Sequence, residues 1–344
     1  MNLRCHRSPM VMARKSYSKK GRNLEPAVMT LTFATPDTVG GAYTLDLSQA
    51  ASIANRRFYR QGINWAVASV KVLSASPGVV HVDKLPTTWV MANAWKKAFN
   101  AWMKRTREAV SESQSVVGRF YDFKIYADSI HHQAGFGANL LPLSSLGLGT
   151  TTAGEWIPAE IAIDPTGLTA AEFEIKAVGG NYGGVGASGK QAVSLIDGYA
   201  TSRALPSESD PNVPAQSDDI DSGTPENWLQ GMFVENSAND ENIINQVVLY
   251  DQPPYPFEGD GIHTDTQYPG GPNQMPGLET HDVVQLVSYS GANNIGTQII
   301  KGGNFPCGLM RFRWAPSESA NLAIQVNLVP GNHRGYLCEP MGDM

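Results

Sequence analysis

Residues 184–190, Gly-Val-Gly-Ala-Ser-Gly-Lys, carry the most explicit chemical pattern in the chain, satisfying both GxxxxGK and the looser GxGxxG. In a phosphate-binding loop, glycine N–H groups surround the phosphates, the lysine reaches them, and a following Ser or Thr places its hydroxyl on magnesium. Here the next residue is Gln191, and Asp197-Gly198 reads as a turn within a strand-like stretch. The helix whose N-terminus should meet the anion is therefore absent from the pattern, and a flexible glycine loop is the better reading. His131-His132 beside Asp128 has the residue types of a metal site, but adjacent residues point opposite ways and no second His/Cys cluster has ligand spacing. Asp218, Asp219 and Asp221 offer oxygens of the kind calcium takes, without the glycine and glutamate placement of an EF-hand loop. No GxSxG elbow occurs, and Cys307, in the apolar run FPCGLM, reads as a buried, inert thiol at the start of a strand. No constellation supports an enzyme, a cofactor or a metal.

The remaining chemistry is electrostatic. Residues 1–23 contain seven Lys/Arg and no acid precedes Glu25. Arg14, Lys15, Lys19, Lys20 and Arg22 fall in this stretch, whose apolar spacing suits neither helix nor strand. It reads as a flexible basic arm over residues 1–26. Each Lys or Arg that neutralises a phosphate releases condensed counterions, giving sequence-independent, salt-sensitive binding to nucleic acid. Arg56, Arg57 and Arg60 form a second basic group. The arm's motifs also suit a nuclear-localisation signal.

The remainder of the chain is acidic. Its net charge of −6 becomes −13 once the seven arm charges are set aside, leaving 19 Lys/Arg against 32 Asp/Glu. Residues 204–300 hold fifteen acids and no Lys or Arg. Such segregation implies one surface turned toward a polyanion and another held away from it. Three cysteines are too few for a disulfide framework and point to a reducing compartment. No apolar run approaches the ~20 residues of a membrane span, and no secretory core follows Met1, so neither membrane nor export is expected.

These residues must be positioned by strands. Period-two alternation and turn residues place strands at about 27–35, 42–47, 64–73, 79–82, 119–127, 156–163, 172–178, 192–200, 283–289, 297–301, 308–314 and 321–329. A short helical or irregular stretch is expected over 48–60. One segment is clearly helical: Trp95, Phe99, Trp102 and Met103 recur at helical spacing behind a Thr87 or Thr88 cap, with Lys96, Lys97, Lys104, Arg105 and Arg107 on the other face. Long loops are expected at 179–190, 205–227 and 251–278. Strands do not alternate with helices, so the expected class is all-β: an antiparallel β-sandwich or jelly roll spanning 27–344, with one amphipathic helix.

The stretches RFYDFKIYAD (119–128), GEWIPAEI (154–161), YPGGPNQMPG (268–277) and KGGNFPCGLMRFRW (301–314), joined to the basic leader, resemble capsid proteins of circular Rep-encoding single-stranded DNA viruses. The likeness extends over most of residues 27–330. It implies a single viral jelly roll and self-assembly into an icosahedral T=1 virion, often of sixty copies. It also implies an interior arm on a single-stranded DNA genome, a role that carries over to Arg14, Lys15, Lys19, Lys20 and Arg22. Because this arm is shorter and less arginine-dense than many in that group, Arg56, Arg57, Arg60 or the helix face would assist. The implied locations are the virion and, during assembly, the host nucleus or cytoplasm. The alternative is a β-sandwich attachment or glycan-binding protein with Tyr255, Phe257 and Tyr268 at its site.

Overall fold

A computed structural model describes residues 25–112, 122–144, 149, 151–163, 171–203, 277–287 and 295–344. The basic leader before Glu25 lies outside these residues. So do the expected loop at 205–227 and nearly all of the one at 251–278.

Alternation builds the strands. In β3 (Ile63–Ser74), Trp65 and Val67 face inward, then Val70 and Val72. The phase switches because Leu328 pairs with Val67 but Asn327 with Ser69, a bulge at Ala68. Before β3 come β1 (Thr30–Ala34), β2 (Gly41–Asp46) and α1 (Leu47–Asn55), and after it β4 (Gly78–Lys84). Towards the C-terminus follow β9 (Glu279–Leu286), β10 (Gly296–Phe305), β11 (Leu309–Pro316) and β12 (Ala323–Leu328). These strands make two antiparallel sheets, ordered β1-β12-β3-β10 and β2-β11-β4-β9. The core between them holds Phe33, Trp65, Phe305, Phe312 and Trp314, all at most 1% exposed. The chain closes with a small turn of β13 (Pro330–Gly331) and β14 (Gly335–Tyr336), then β15 (Cys338–Pro340) back on β3.

β4 and β9 are hydrogen-bonded neighbours, with Lys84 opposite Glu279. Residues 85–278 are thus one insertion between adjacent strands. It contains α2 (Trp89–Glu112), α3 (Ser129–Ala134), β5 (Glu160–Ile163), β6 (Ala171–Lys176), β7 (Tyr182–Val185), β8 (Gln191–Ser194) and α4 (Leu195–Arg203). Its strands form a separate sheet, β5-β6-β8-β7, in which β6 and β8 run parallel. A second core of Trp95, Trp102, Phe123, Ile175, Val178 and Ile196 joins this sheet and α2 to Leu309 and Met341 of the sandwich.

Several expectations change here. Four α-helices stand among the described residues, not one. Helix α1 begins where Asp46 accepts from the N–H groups of Ser48 and Gln49. Helix α4 replaces the second half of the strand expected over 192–200, after Ser194 Oγ accepts from Asp197 N–H. The glycine stretch 179–190, read as a loop, contains β7. The strand expected over 119–127 reduces, in its described part, to one bridge from Tyr126 to Lys176. Phe123 to Ala127 are all buried, so the alternation does not divide core from solvent, and the Ile125 N–H is taken by the Gln61 side chain while the Tyr126 N–H donates to the Ile175 carbonyl. Helix α2 conforms, with Thr88 at its start and Trp95 and Trp102 buried opposite exposed Lys96, Lys97, Lys104, Arg105 and Arg107.

Candidate nucleic-acid interface

The described chain enters at Glu25, whose Oε2 lies 3.1 Å from Arg57 Nη1, and the same nitrogen donates to the Pro26 carbonyl at 3.3 Å. The entry is therefore held against the α1–β3 connection, which carries all three body arginines singled out above. Both partners of the ion pair are about half exposed, so it contributes at most ~1 kcal/mol. Arg56 terminates α1 in the left-handed region (φ 53°) and is exposed. Arg60 is 57% exposed, with Nη1 3.8 Å from Asp122 Oδ1. Arg14, Lys15, Lys19, Lys20 and Arg22 lie outside the described residues.

Two further cations join this group. Arg334, in the β13–β14 turn, donates to the Phe58 carbonyl, and the Tyr59 hydroxyl donates to the Arg334 carbonyl at 3.0 Å. Lys124 is buried; its Nζ sits 3.1 Å from Asp122 Oδ2 and 4.7 Å from the centre of the Trp156 ring. Sequence reasoning missed both; the alternating YDFK run and the Asn332-His333-Arg334-Gly335 turn could have flagged them, but neither says which connection it will face.

Between them opens a cavity of about 280 Å³. Its deep lining is aromatic: Trp95 and Phe99 stack at 4.9 Å with 12° between planes, and Phe123 meets both edge-on at 5.8 and 5.6 Å. The mouth carries Phe58, Arg60, His333 and Arg334. Gly62 makes room for the indole, because a Cβ there would stand 2.3 Å from Trp95 Cζ2. Trp95 is 8% exposed, and its Nε1–H is buried without a hydrogen-bond partner. Burial and the Arg334 charge push the His333 imidazole below its ordinary pKa, so it is neutral at neutral pH.

The other chemical motifs are occupied by the fold. Lys190 of the GxxxxGK stretch lies 2.6 Å from Glu160 Oε2 and 2.7 Å from Glu172 Oε2. Hydrogen bonds to these two carboxylates raise its pKa. The glycines serve close approach: a Cβ on Gly186 would fall 2.4 Å from His132 Nε2, and one on Gly183 2.9 Å from Lys176 Nζ. The stretch is a tight cover over α3, with no anion cradle. His131 Nδ1 accepts from the Ala127 N–H at 3.0 Å, so its Nε2 carries the proton and donates to Asn139 Oδ1 at 2.8 Å. His132 Nε2 lies 2.8 Å from Glu174 Oε2 with both side chains 1% exposed, and burial lowers its pKa against the pull of the carboxylate. Asp128 meets the two Nη groups of buried Arg311 at 2.5 and 2.6 Å. Among the described residues no group of three His, Cys, Asp or Glu is placed to hold a metal ion. Cys307 is fully buried with its thiol pushed up by burial, and it occupies a 3-10 turn between β10 and β11 at φ 56°, not a strand start. Asp218, Asp219, Asp221, Tyr255, Phe257 and Tyr268 lie outside the described residues. No described helix is long and apolar enough to cross a membrane.

Set beside protein-family models, curated proteins and solved structures, the chain matches none.

Proposed function

We propose that this chain is a capsid subunit: a single jelly roll that self-assembles into an icosahedral shell and packages single-stranded DNA through its basic leader. The carrying observation is the nesting of strand pairs. β4 pairs with β9, β3 with β10, β2 with β11 and β1 with β12, every pair antiparallel. Successive pairs alternate between the two sheets. This nesting supports reading the sandwich as a long hairpin rolled on itself, the strand logic of an eight-stranded jelly roll. Along one side of the sandwich the insertion lies on both edge strands, the Leu143 and Leu140 N–H groups donating to the Thr32 and Thr44 carbonyls.

Charge supports the cargo. The seven-charge leader precedes Glu25, which pairs with Arg57, so it joins the body beside the basic group of Arg56, Arg57 and Arg60. Many weak arms converging in one cavity bind cooperatively through effective concentration. Expression of the full chain, followed by electron microscopy and by the ratio of absorbance at nucleic-acid and protein wavelengths, tests the proposal. Closed particles containing nucleic acid are expected, with cargo reduced after deletion of residues 1–24. A stable, nucleic-acid-free monomer at physiological salt would refute the subunit reading, and truncated particles with full cargo would refute the arm's role.

A further inference from the structure

We infer that the aromatic cavity beside the arm's entry takes one unstacked base of the single strand, with the adjoining phosphate at Arg60 and Arg334. This rests on the reading of the chain as a nucleic-acid-packaging protein and adds to it a contact that distinguishes single strand from duplex.

Three features of the cavity converge on this ligand. Its size, about 280 Å³, is just below the ~300–1,000 Å³ range of small-molecule pockets, which suits one base. Its deep walls are the π-faces and edges of Trp95, Phe99 and Phe123, which a base of any identity can stack on or abut. Two exposed guanidinium groups stand at the mouth, where a phosphate attached to an inserted base would lie. Asp122 is the one acid of the lining, and Lys124 at 3.1 Å and Arg60 at 3.8 Å balance its charge, so a phosphate is not repelled. A purely apolar ligand would leave the two arginines unused. A paired base could not enter without leaving its stack, so duplex would meet only the charges.

The test is fluorescence anisotropy of the full-length chain with a labelled oligothymidine and a duplex of equal length at matched salt. Phe99→Leu and Arg334→Ala alter the cavity, while Lys104→Ala removes a charge from the exposed face of α2. Phe99→Leu is expected to weaken the single strand by about tenfold and leave the duplex nearly unchanged; Arg334→Ala weakens both, the single strand by the larger factor, whereas Lys104→Ala shifts both alike. Melting curves identify any variant that fails to fold, and Arg334→Ala, altering an exposed side chain, carries the test if Phe99→Leu does. Equal losses on single strand and duplex, or no loss on either, would overturn the inference. Electron microscopy keeps the two proposals separable. Particles without strand discrimination would sink the cavity alone, and discrimination without particles would sink the shell alone.

Discussion

Arg311 is 3% exposed and would be costly to bury as a lone cation. It is tolerated because Asp128 accepts from both of its Nη groups, and Thr44 Oγ1 lies within 3.4 Å of Nε and Nη2. Burial by itself would raise the Asp128 carboxyl; the Arg311 hydrogen bonds and charge outweigh it and hold the group below its ordinary range. Since Asp128 also caps α3 and Arg311 belongs to β11, one ion pair ties the insertion to the sandwich. Arg311→Leu is expected to cost about 3–5 kcal/mol in chemical denaturation, because it strands a largely buried carboxylate. A loss under 1 kcal/mol would show that the pair is not a staple. Two other buried groups set a pH response. Burial lowers His131 to about 4 and raises Asp46 to about 6. For His131 the unfolded chain takes up the proton first, so stability is lost as pH falls from 6.5 to about 4. For Asp46 the folded chain holds the proton longer, so stability is gained as pH falls from about 6 to 3.8. The two slopes oppose each other. Relative to the parent protein, His131→Asn should therefore gain stability steadily between pH 6.5 and 4, read from denaturation midpoints; an unchanged difference across that range would contradict the assignment.

At the scale of elements, the glycine stretch shows how a pattern can point to the wrong chemistry. Gly186 is small because β7 and its turn lie directly on His132, so Gly186→Ala drives a Cβ into the imidazole. Such overpacking is expected to cost about 1–3 kcal/mol, seen as a lowered melting temperature, with no change in nucleotide affinity because Lys190 is already held by Glu160 and Glu172. A silent substitution would mean that β7 is not seated on α3. Helix α2 and the sandwich strands were legible in the sequence because their buried side repeats at a regular period: Trp95, Phe99 and Trp102 on the helix, Met310, Phe312 and Trp314 on β11. The run before Asp128 alternates equally well in sequence yet is not a regular strand, since its backbone groups are shared out among the Gln61 and His131 side chains, Ala159 and the segment from Ile175 to Val178. Period alone cannot name the hydrogen-bond partner. Helix α4 was recoverable, because Ser194-Leu-Ile-Asp197 has the capping-box spacing that starts a helix.

The described residues pack around two cores. The sandwich core draws on segments 27–84 and 284–338 and includes Leu140 of the insertion, while the second core lies under α2 and the insertion sheet. With Lys84 opposite Glu279, an Asn-Gly turn between them is geometrically sufficient to close β4 on β9. A chain with residues 85–278 replaced by that turn is expected to melt cooperatively with a β-type circular dichroism spectrum. Its melting temperature should lie below that of the full chain, because Cys307, Leu309 and Met341 lose their cover. Absence of a cooperative transition would show that the sandwich depends on its insertion.

The sequence by itself determined the strand and helix periods and the separation of a basic leader from an acidic body, for these are local properties that a count or a spacing reads directly. Tertiary structure alone decided which strands became neighbours and which residues Arg311, Lys190 and Trp95 would meet. Those choices are long-range: β4 and β9 touch across nearly two hundred intervening residues, and the cavity takes its walls from α2, from the run after residue 121 and from the two turns beside Arg60 and Arg334. A partner fixed by packing at that distance leaves no periodic trace in either segment.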